Sequence, residues 1–278
     1  MSAACAITLP HGLRDGRRRR SEAELRLPTG ADEAYLLSAE HHSRAEQVTG
    51  LLARCVVRVD DVEADDDTIR SLTVGDREAL LLGLRGLVFG DELACVVDCP
   101  TCDERMDIDL RISDLLVAPY PETAERHTIA FEHDGKSHEA VVRLPTGADQ
   151  EAASRKAGLE AGVAELVTRC VVSVDGRGAV MPPDALADAL SEPLAALDPQ
   201  AELVIDMSCP ACDEPVTALV DAATVLLAEL TASDDRLLRE VDAIARVYHW
   251  SEDQILGLDV RRRRRYLELL ADAGDEAP

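Results

Sequence analysis

Cys99-Pro100-Thr101-Cys102-Asp103-Glu104 and Cys209-Pro210-Ala211-Cys212-Asp213-Glu214 are two versions of one short phrase, and their reading decides the fold. Each follows an apolar run, Ala94-Cys95-Val96-Val97 in the first case and Leu203-Val204-Ile205 in the second. Each is followed by alternation: Met106, Ile108 and Leu110 against Asp107 and Asp109, then Val216, Ala218 and Val220. A period of two means strand, so each phrase is a knuckle between two strands. Two C-x-x-C pairs supply four thiolates, the donor set of a closed tetrahedral zinc site. Such a site leaves no open position for water or substrate, so it staples a fold and does no chemistry. The expectation is one structural zinc per chain on Cys99, Cys102, Cys209 and Cys212. The alternative is a knuckle pair that keeps its turn and holds no metal.

The surroundings of the knuckles also recur. Arg26-Leu27-Pro28-Thr29-Gly30-Ala31-Asp32 returns as Arg143-Leu144-Pro145-Thr146-Gly147-Ala148-Asp149, and Arg54-Cys55-Val56-Val57 as Arg169-Cys170-Val171-Val172. Order is kept, and the period is too long for a solenoid. This reads as a tandem duplication of one small α+β domain with zinc-ribbon-like strand–knuckle–strand units. Zinc ribbons ordinarily keep their two cysteine pairs within about twenty residues. Duplication accounts for the wider gap, because one copy supplies only two ligands and a pseudo-two-fold can bring both knuckles to one ion.

C-P-x-C also occurs in thiol–disulfide oxidoreductases, where the first cysteine opens a helix and its pKa falls. Here strands follow the knuckles, and Asp103-Glu104 and Asp213-Glu214 set carboxylates beside the thiols, which raises thiol pKa values. Aspartate stands where zinc knuckles commonly carry glycine, and it tolerates the left-handed conformation better than most residues. Cys55 and Cys170 fall on apolar helical faces and read as small core residues. Cys95 is left out of the site. His41, His42, His127, His133, His138 and His249 are scattered without ligand spacing, and no Ser-His-Asp set, phosphate loop or dinucleotide fingerprint is present.

The chain has 278 residues, 46% apolar but only 3% aromatic, so its cores must be built from Leu, Val and Ala. No run approaches the roughly 18 apolar residues of a membrane span. The start carries no signal-type apolar stretch, and eight cysteines without one suit a reducing, cytoplasmic compartment. A net charge of −25 argues against general nucleic-acid affinity. Two arginine runs oppose that trend, Arg17 to Arg20 and Arg261 to Arg265. A zinc-ribbon module that uses them to hold a regulatory or nucleic-acid partner is a second reading. Asp60, Asp61, Glu63, Asp65, Asp66 and Asp67 lack the glycine and spacing of a calcium loop and read as a solvated acidic turn.

Along the chain, residues 1–20 read as a flexible arginine-rich leader, 21–118 as the first repeat, 119–137 as linker and the start of a hairpin, and 138–228 as the second repeat. A helix carrying Val48, Leu51, Leu52 and Cys55 gives way to a strand over Val56 to Val59. Thr73 and Asp76 have capping-box spacing before a stripe of Leu80, Leu81, Leu84, Leu87 and Val88, and Gly90 ends that helix. Asp134-Gly135 is a hairpin turn. Pro182-Pro183-Asp184 opens a helix with Leu186, Leu190 and Leu194, shorter than its counterpart and interrupted at Pro193.

Residues 233–272 form a separate C-terminal helical hairpin. Ser233 is placed to cap its first helix. Ser251 and Gln254 make a capping box, Trp250 and Ile255 have the spacing of a hydrophobic staple, and Asp259 caps the last helix. Either this hairpin packs on its own chain, or it docks a partner through Trp250, Arg261, Arg262, Arg263, Arg264, Arg265 and Tyr266. As a docking element, its deletion would leave a folded core.

Leu72-Thr73-Val74-Gly75-Asp76-Arg77-Glu78-Ala79-Leu80, the two C-P-x-C knuckles, and the ending from Tyr248-His249-Trp250-Ser251 to Tyr266-Leu267 resemble baseplate hub or assembly proteins of contractile-tailed phages and of phage-derived contractile injection systems. The resemblance spans most of residues 21–270. It implies a non-enzymatic part or assembly factor of a tail baseplate, with other tail proteins as partners, no membrane, no small-molecule substrate, and a location in the cytoplasm or within an assembled particle.

Overall fold

The computed structural model describes residues 4–16, 18–120, 124–178, 181–231 and 234–275. The chain opens with a hairpin of β1 (Ala4–Asp15) and β2 (Arg18–Arg26), followed by α1 (Gly30–Ser38) and α2 (Arg44–Cys55). Next come β3 (Val56–Val59), β4 (Val62–Glu63), α3 (Asp66–Ser71) and α4 (Val74–Phe89). A ribbon of β5 (Glu92–Asp98) and β6 (Arg105–Arg111) leads to the short α5 (Ile112–Leu115). The second half runs β7 (His127–His133), β8 (Lys136–Val142), α6 (Gly147–Ser154), α7 (Leu159–Cys170), β9 (Val171–Val174) and α8 (Pro183–Leu197). It continues through β10 (Leu203–Ser208), β11 (Pro215–Val220) and α9 (Ala222–Leu230), and the chain closes with α10 (Asp234–Tyr248), α11 (Glu252–Leu256) and α12 (Val260–Asp275).

Helices and strands are mixed, and the strands form small antiparallel sheets. One has the order β1-β2-β3-β4, another β7-β8-β9, and two are the ribbons β5-β6 and β10-β11. The largest core joins the first sheet to α2 and α4, whose Leu80, Leu81 and Leu84 are fully buried, and it extends to α9 and Val260. A second core lies where Leu186, Leu190 and Leu194 of α8 meet Val142, Val167 and Cys170. The third is small and lies at the knuckles.

The first residues do not form a free leader. From Ala4 they are β1, paired along β2, and Leu9 is fully buried. Nor is the first arginine run a solvated arm. Arg18 and Arg20 pair with Asp61 at 3.2 and 2.6 Å, and Arg19 donates to the carbonyls of His11, Pro10 and Tyr120; Arg17 lies outside the described residues. The acidic stretch is likewise organised. Asp60 turns the β3–β4 hairpin with φ +52°, Asp65 caps α3, and Asp66 and Asp67 meet Arg70.

Thr73 caps α4 by accepting from the Asp76 amide, but the expected box is half made. The Asp76 carboxylate turns instead to the backbone N–H groups of His11 and Gly12, at 2.8 and 2.9 Å. Gly90 ends α4 with φ +93°, a conformation costly for other residues. Helix α8 runs through Pro193 unbroken, 15 residues against 16 in α4. Proline removes one backbone donor there, and the buried leucines on either side hold the helix to its core.

Both Pro-Thr-Gly-Ala-Asp segments make the same local structure. Thr29 and Thr146 cap α1 and α6 in capping boxes with Asp32 and Asp149. Those carboxylates also take both guanidinium nitrogens of Arg26 (2.7 and 3.1 Å) and Arg143 (2.6 and 2.9 Å). Each segment then clasps the beginning of another helix. Gly147 N–H donates to Leu72 O and Val74 N–H to Pro145 O, which seats the start of α4. Gly30 N–H donates to Leu258 O and Val260 N–H to Pro28 O, which seats the start of α12.

The C-terminal segment packs into the fold rather than standing apart from it as a separate hairpin. Val260 is 1% exposed in the main core. Buried Glu33 accepts from Arg236 of α10 at 2.5 Å and from Arg263 of α12. Ser251 and Gln254 make their capping box, and Asp259 Oδ1 accepts from the Arg262 amide. Ser233 lies outside the described residues. The rings that Trp250 meets are Tyr248 and Tyr266, with centroids at 5.3 and 5.0 Å, while Ile255 is buried.

Candidate metal centre

Each knuckle is shaped by its own backbone. In the first, the Cys99 amide donates to Glu104 O (2.8 Å) and the Asp103 amide to Cys99 O (3.0 Å). In the second, Cys209 N–H reaches Glu214 O and Asp213 N–H reaches Cys209 O, both at 2.9 Å. Asp103 and Asp213 have φ of +58° and +59°, the left-handed turn their sequence positions anticipate. The ribbons β5-β6 and β10-β11 bring the knuckles together, with Met106 and Val216 buried beneath them and Val97 and Met207 packed alongside.

The four sulfurs lie within 4.8 Å of one another. Two contacts cross between the knuckles: Cys99 Sγ to Cys212 Sγ is 3.7 Å and Cys102 Sγ to Cys209 Sγ is 3.6 Å. A tetrahedron with Zn–S bonds of about 2.3 Å has sulfur–sulfur edges of about 3.8 Å. The donor set therefore fits a tetrahedral metal in number, softness and spacing. Cys99 and Cys209 are buried, Cys212 is half-buried and Cys102 is exposed.

The thiols titrate against one another. Backbone N–H groups, Thr101 first, draw Cys99 down to about 7. The Glu104 amide acts in the same direction on Cys102, but hydrogen bonding to Cys212, burial and the other sulfurs outweigh it and push Cys102 up to about 12. Four thiolates in this space repel one another, and a divalent cation relieves that repulsion. Neither knuckle opens a helix; each lies between antiparallel strands, so the dipole that activates redox cysteines is missing.

Cys55, Cys170 and Cys95 lie where expected. Cys55 and Cys170 are fully buried, and desolvation pushes both up to about 12. Cys95 is on β5, packed against the main core and outside the four-sulfur cluster.

The proposed docking residues do not form one exposed set. Arg263 is fully buried, paired with Glu240 at 2.6 Å and with Glu33, so it cannot meet a partner at the surface. Arg261 donates to Leu87 O (2.6 Å), Arg264 lies 5.4 Å from the Phe89 ring centroid, and Arg265 pairs with Glu268 at 2.9 Å. Arg262 is exposed, and Trp250 and Tyr266 are half-buried against each other.

A buried polar group that the sequence did not reveal joins the N-terminal hairpin to the middle of the chain. His11 is 7% exposed, its ring is 4.5 Å from that of Tyr120, and its Nε2 is 3.3 Å from Asp198 Oδ1 without hydrogen-bond alignment. Asp198 accepts from the Gly75 amide at 2.9 Å. Burial raises the pKa of Asp76 beside them, against the pull of the His11 and Gly12 amides. The available signal was Asp76 and Arg77 standing at the head of an apolar helix, where an unpartnered charge would be costly.

No helix among the described residues is long and apolar enough to cross a membrane. No curated protein and no solved structure matches the chain. A family model described as T4 bacteriophage base plate protein matches residues 8–227, a stretch that holds both knuckles and both clasping segments and stops before α10. The C-terminal motif from Tyr248 to Tyr266 lies outside that match, which nonetheless spans most of the sequence, and the chain belongs to the T4 bacteriophage base plate protein family.

Proposed function

We propose that this protein is a non-enzymatic structural or assembly component of a contractile, phage-like tail baseplate, in which two tandem α+β copies are clamped by one zinc on Cys99, Cys102, Cys209 and Cys212. The observation that carries the clamp is the four sulfurs within 4.8 Å, two from each knuckle. The family match supports the baseplate assignment and other tail proteins as partners. Recurrence of the knuckle hydrogen bonds and of both Arg–Asp clamps supports the duplication. The two copies are residues 21–118 and 138–228.

Metal analysis of protein purified without chelator tests the clamp. One zinc per chain is expected, and none in the variant with Cys→Ser at positions 99, 102, 209 and 212. Four free thiols and no metal in the parent protein would overturn it. Complementation tests the role: particles made without this chain should lack complete tails, and normal tails in its absence would refute a baseplate function.

A further inference from the structure

Four parts of the chain meet at one buried polar group. His11 comes from β1, Asp76 from the head of α4, Tyr120 from the segment before β7, and Asp198 from the turn after α8. His11 is 7% exposed, and the two carboxylates are sealed, Asp76 at 0% and Asp198 at 1%. Glycines make room for them. A Cβ on Gly75 would collide with the Asp198 carboxylate, and Gly12, with φ +72°, turns its amide to Asp76. Asp76 accepts from the His11 and Gly12 amides at 2.8 and 2.9 Å. Asp198 accepts from the Gly75 amide at 2.9 Å, and the Tyr120 hydroxyl lies 3.4 Å from its Oδ1. Burial, with the Asp198 and Asp76 charges, pushes Tyr120 up to about 12, so that hydroxyl keeps its proton and stays a donor.

All of these donors are neutral, and buried charge with only neutral partners is costly. Asp76 shows the strain: burial first, then the Asp198 charge, raise its pKa against the pull of two amides. The atom placed to answer this is His11 Nε2. It is buried, has no hydrogen-bond partner, and lies 3.3 Å from Asp198 Oδ1. A proton there converts an unaligned contact into a charge-assisted hydrogen bond. The other charged groups nearby are engaged or set at the rim. Arg19 of β2 gives its guanidinium to the carbonyls of His11, Pro10 and Tyr120, and Arg143 is paired with Asp149. His127 of β7 has its pKa lowered by burial and by the His11 charge. Arg14 and Glu125 line an open cleft of about 300 Å³ beside His11.

We propose that His11, Asp76 and Asp198 form a proton-operated latch: one proton held between the imidazole and the Asp198 carboxylate locks the β1–β2 hairpin onto the head of α4 and the turn after α8, and its loss at mildly alkaline pH loosens that hold. The proton belongs to the coupled group rather than to one residue. An unfolded chain gives up a histidine proton near pH 6.5. The folded group binds the proton more tightly, so the latch is complete below about pH 6.5 and is lost as pH rises through the group's own, higher value. The latch depends on neither the metal nor the duplication.

Amide hydrogen exchange on the full chain at about pH 6 and about pH 8.5 tests the latch, with each rate corrected for intrinsic base catalysis. The references are the Gly30 and Val260 amides, hydrogen-bonded where α12 is seated. Relative to them, the His11, Gly12 and Gly75 amides should lose about tenfold in protection at the higher pH, the effect of one pH unit of proton linkage. In His11→Gln, which cannot take up the proton, the three amides should change no more than the references. In Asp198→Asn, nuclear magnetic resonance of the His11 ring should show it losing its proton about one to three pH units earlier than in wild type, the usual consequence of removing a neighbouring opposite charge. Equal relative protection at both pH values in wild type, a persisting loss in His11→Gln, or an unmoved His11 titration in Asp198→Asn would each overturn the latch.

Discussion

Glu78 stands on α4 facing the start of α9, where its carboxylate accepts from the Ala222 amide. Desolvation first, then the nearby Asp221 charge, raises its pKa from 4.5 to about 7. The folded protein therefore holds this proton more tightly than the unfolded chain. The ionised carboxylate destabilises the fold, and the penalty grows as pH rises from about 4.5 to about 7 and is complete above that. At about 1.36 kcal/mol per tenfold change in proton affinity, the ceiling is about 3 kcal/mol. The side chain is partly exposed, so solvent screening reduces this to about 1–2 kcal/mol. Glu78→Gln keeps an oxygen for the Ala222 N–H and removes the charge. Urea unfolding should show the variant about 1–2 kcal/mol more stable at pH 8 and equal to wild type at pH 4. Because the chain carries −25, the exposed change Glu132→Gln on β7 controls for relief of general repulsion and should stay within about 0.5 kcal/mol. A Glu78→Gln gain that is the same at both pH values, or no larger than the control, would refute the buried-charge argument.

Gly147→Ala puts a methyl group into the Arg77 guanidinium and should cost about 1–3 kcal/mol by thermal unfolding, whereas Gly178→Ala, with open space around it, should be close to neutral. Asp32→Asn should lose about 1–3 kcal/mol at pH 7. The Asp32 pKa is lowered, with desolvation opposing and the Arg26 and Thr29 hydrogen bonds prevailing, so its contribution is present above the unfolded value and disappears as pH falls through the folded one, and the gap between variant and wild type should narrow steadily on acidification. Trp250 is the single tryptophan, and its fluorescence should report the same urea midpoint as far-UV circular dichroism, because Val260 ties the C-terminal helices to the main core; an earlier fluorescence transition would show that they unfold separately.

Local patterns were legible in the sequence and long-range charge pairing was not. The apolar stripes of α2 and α4, the Asp134-Gly135 turn and the alternating strands at each knuckle are set by neighbours a few residues away, and the structure places them as the periodicity indicates. The four cysteines were found because thiolate pairs have few other uses at that spacing. Arg263 was grouped with the docking residues because five consecutive arginines look like one charged surface. What makes its burial tolerable is Glu33, 230 positions earlier, and no local window contains that pairing. The same holds for the N-terminal strand. Its arginines looked like a tail until Asp61 and the carbonyls of His11, Pro10 and Tyr120 were in place around them. Asp76 shows a subtler failure: capping-box spacing was present, but two amides of the first hairpin compete for the carboxylate and win.

The order in which the ribosome releases the chain gives the two clasping segments different histories. The start of α4 precedes its seat at Pro145–Asp149 by roughly 70 residues, so at about 5–20 residues per second that helix waits about 4–14 s for its clasp. The seat at Pro28–Asp32 is made first and waits for Arg263, roughly 230 residues later, or about 12–46 s at the same rates. For most of that interval Glu33 has neither arginine, Arg236 emerging shortly before Arg263, and Gly30 and Pro28 have no helix to bond. A nascent chain therefore passes through a stage in which everything up to β11 has emerged while its first clasp stands open, and translation speed sets how long that stage lasts.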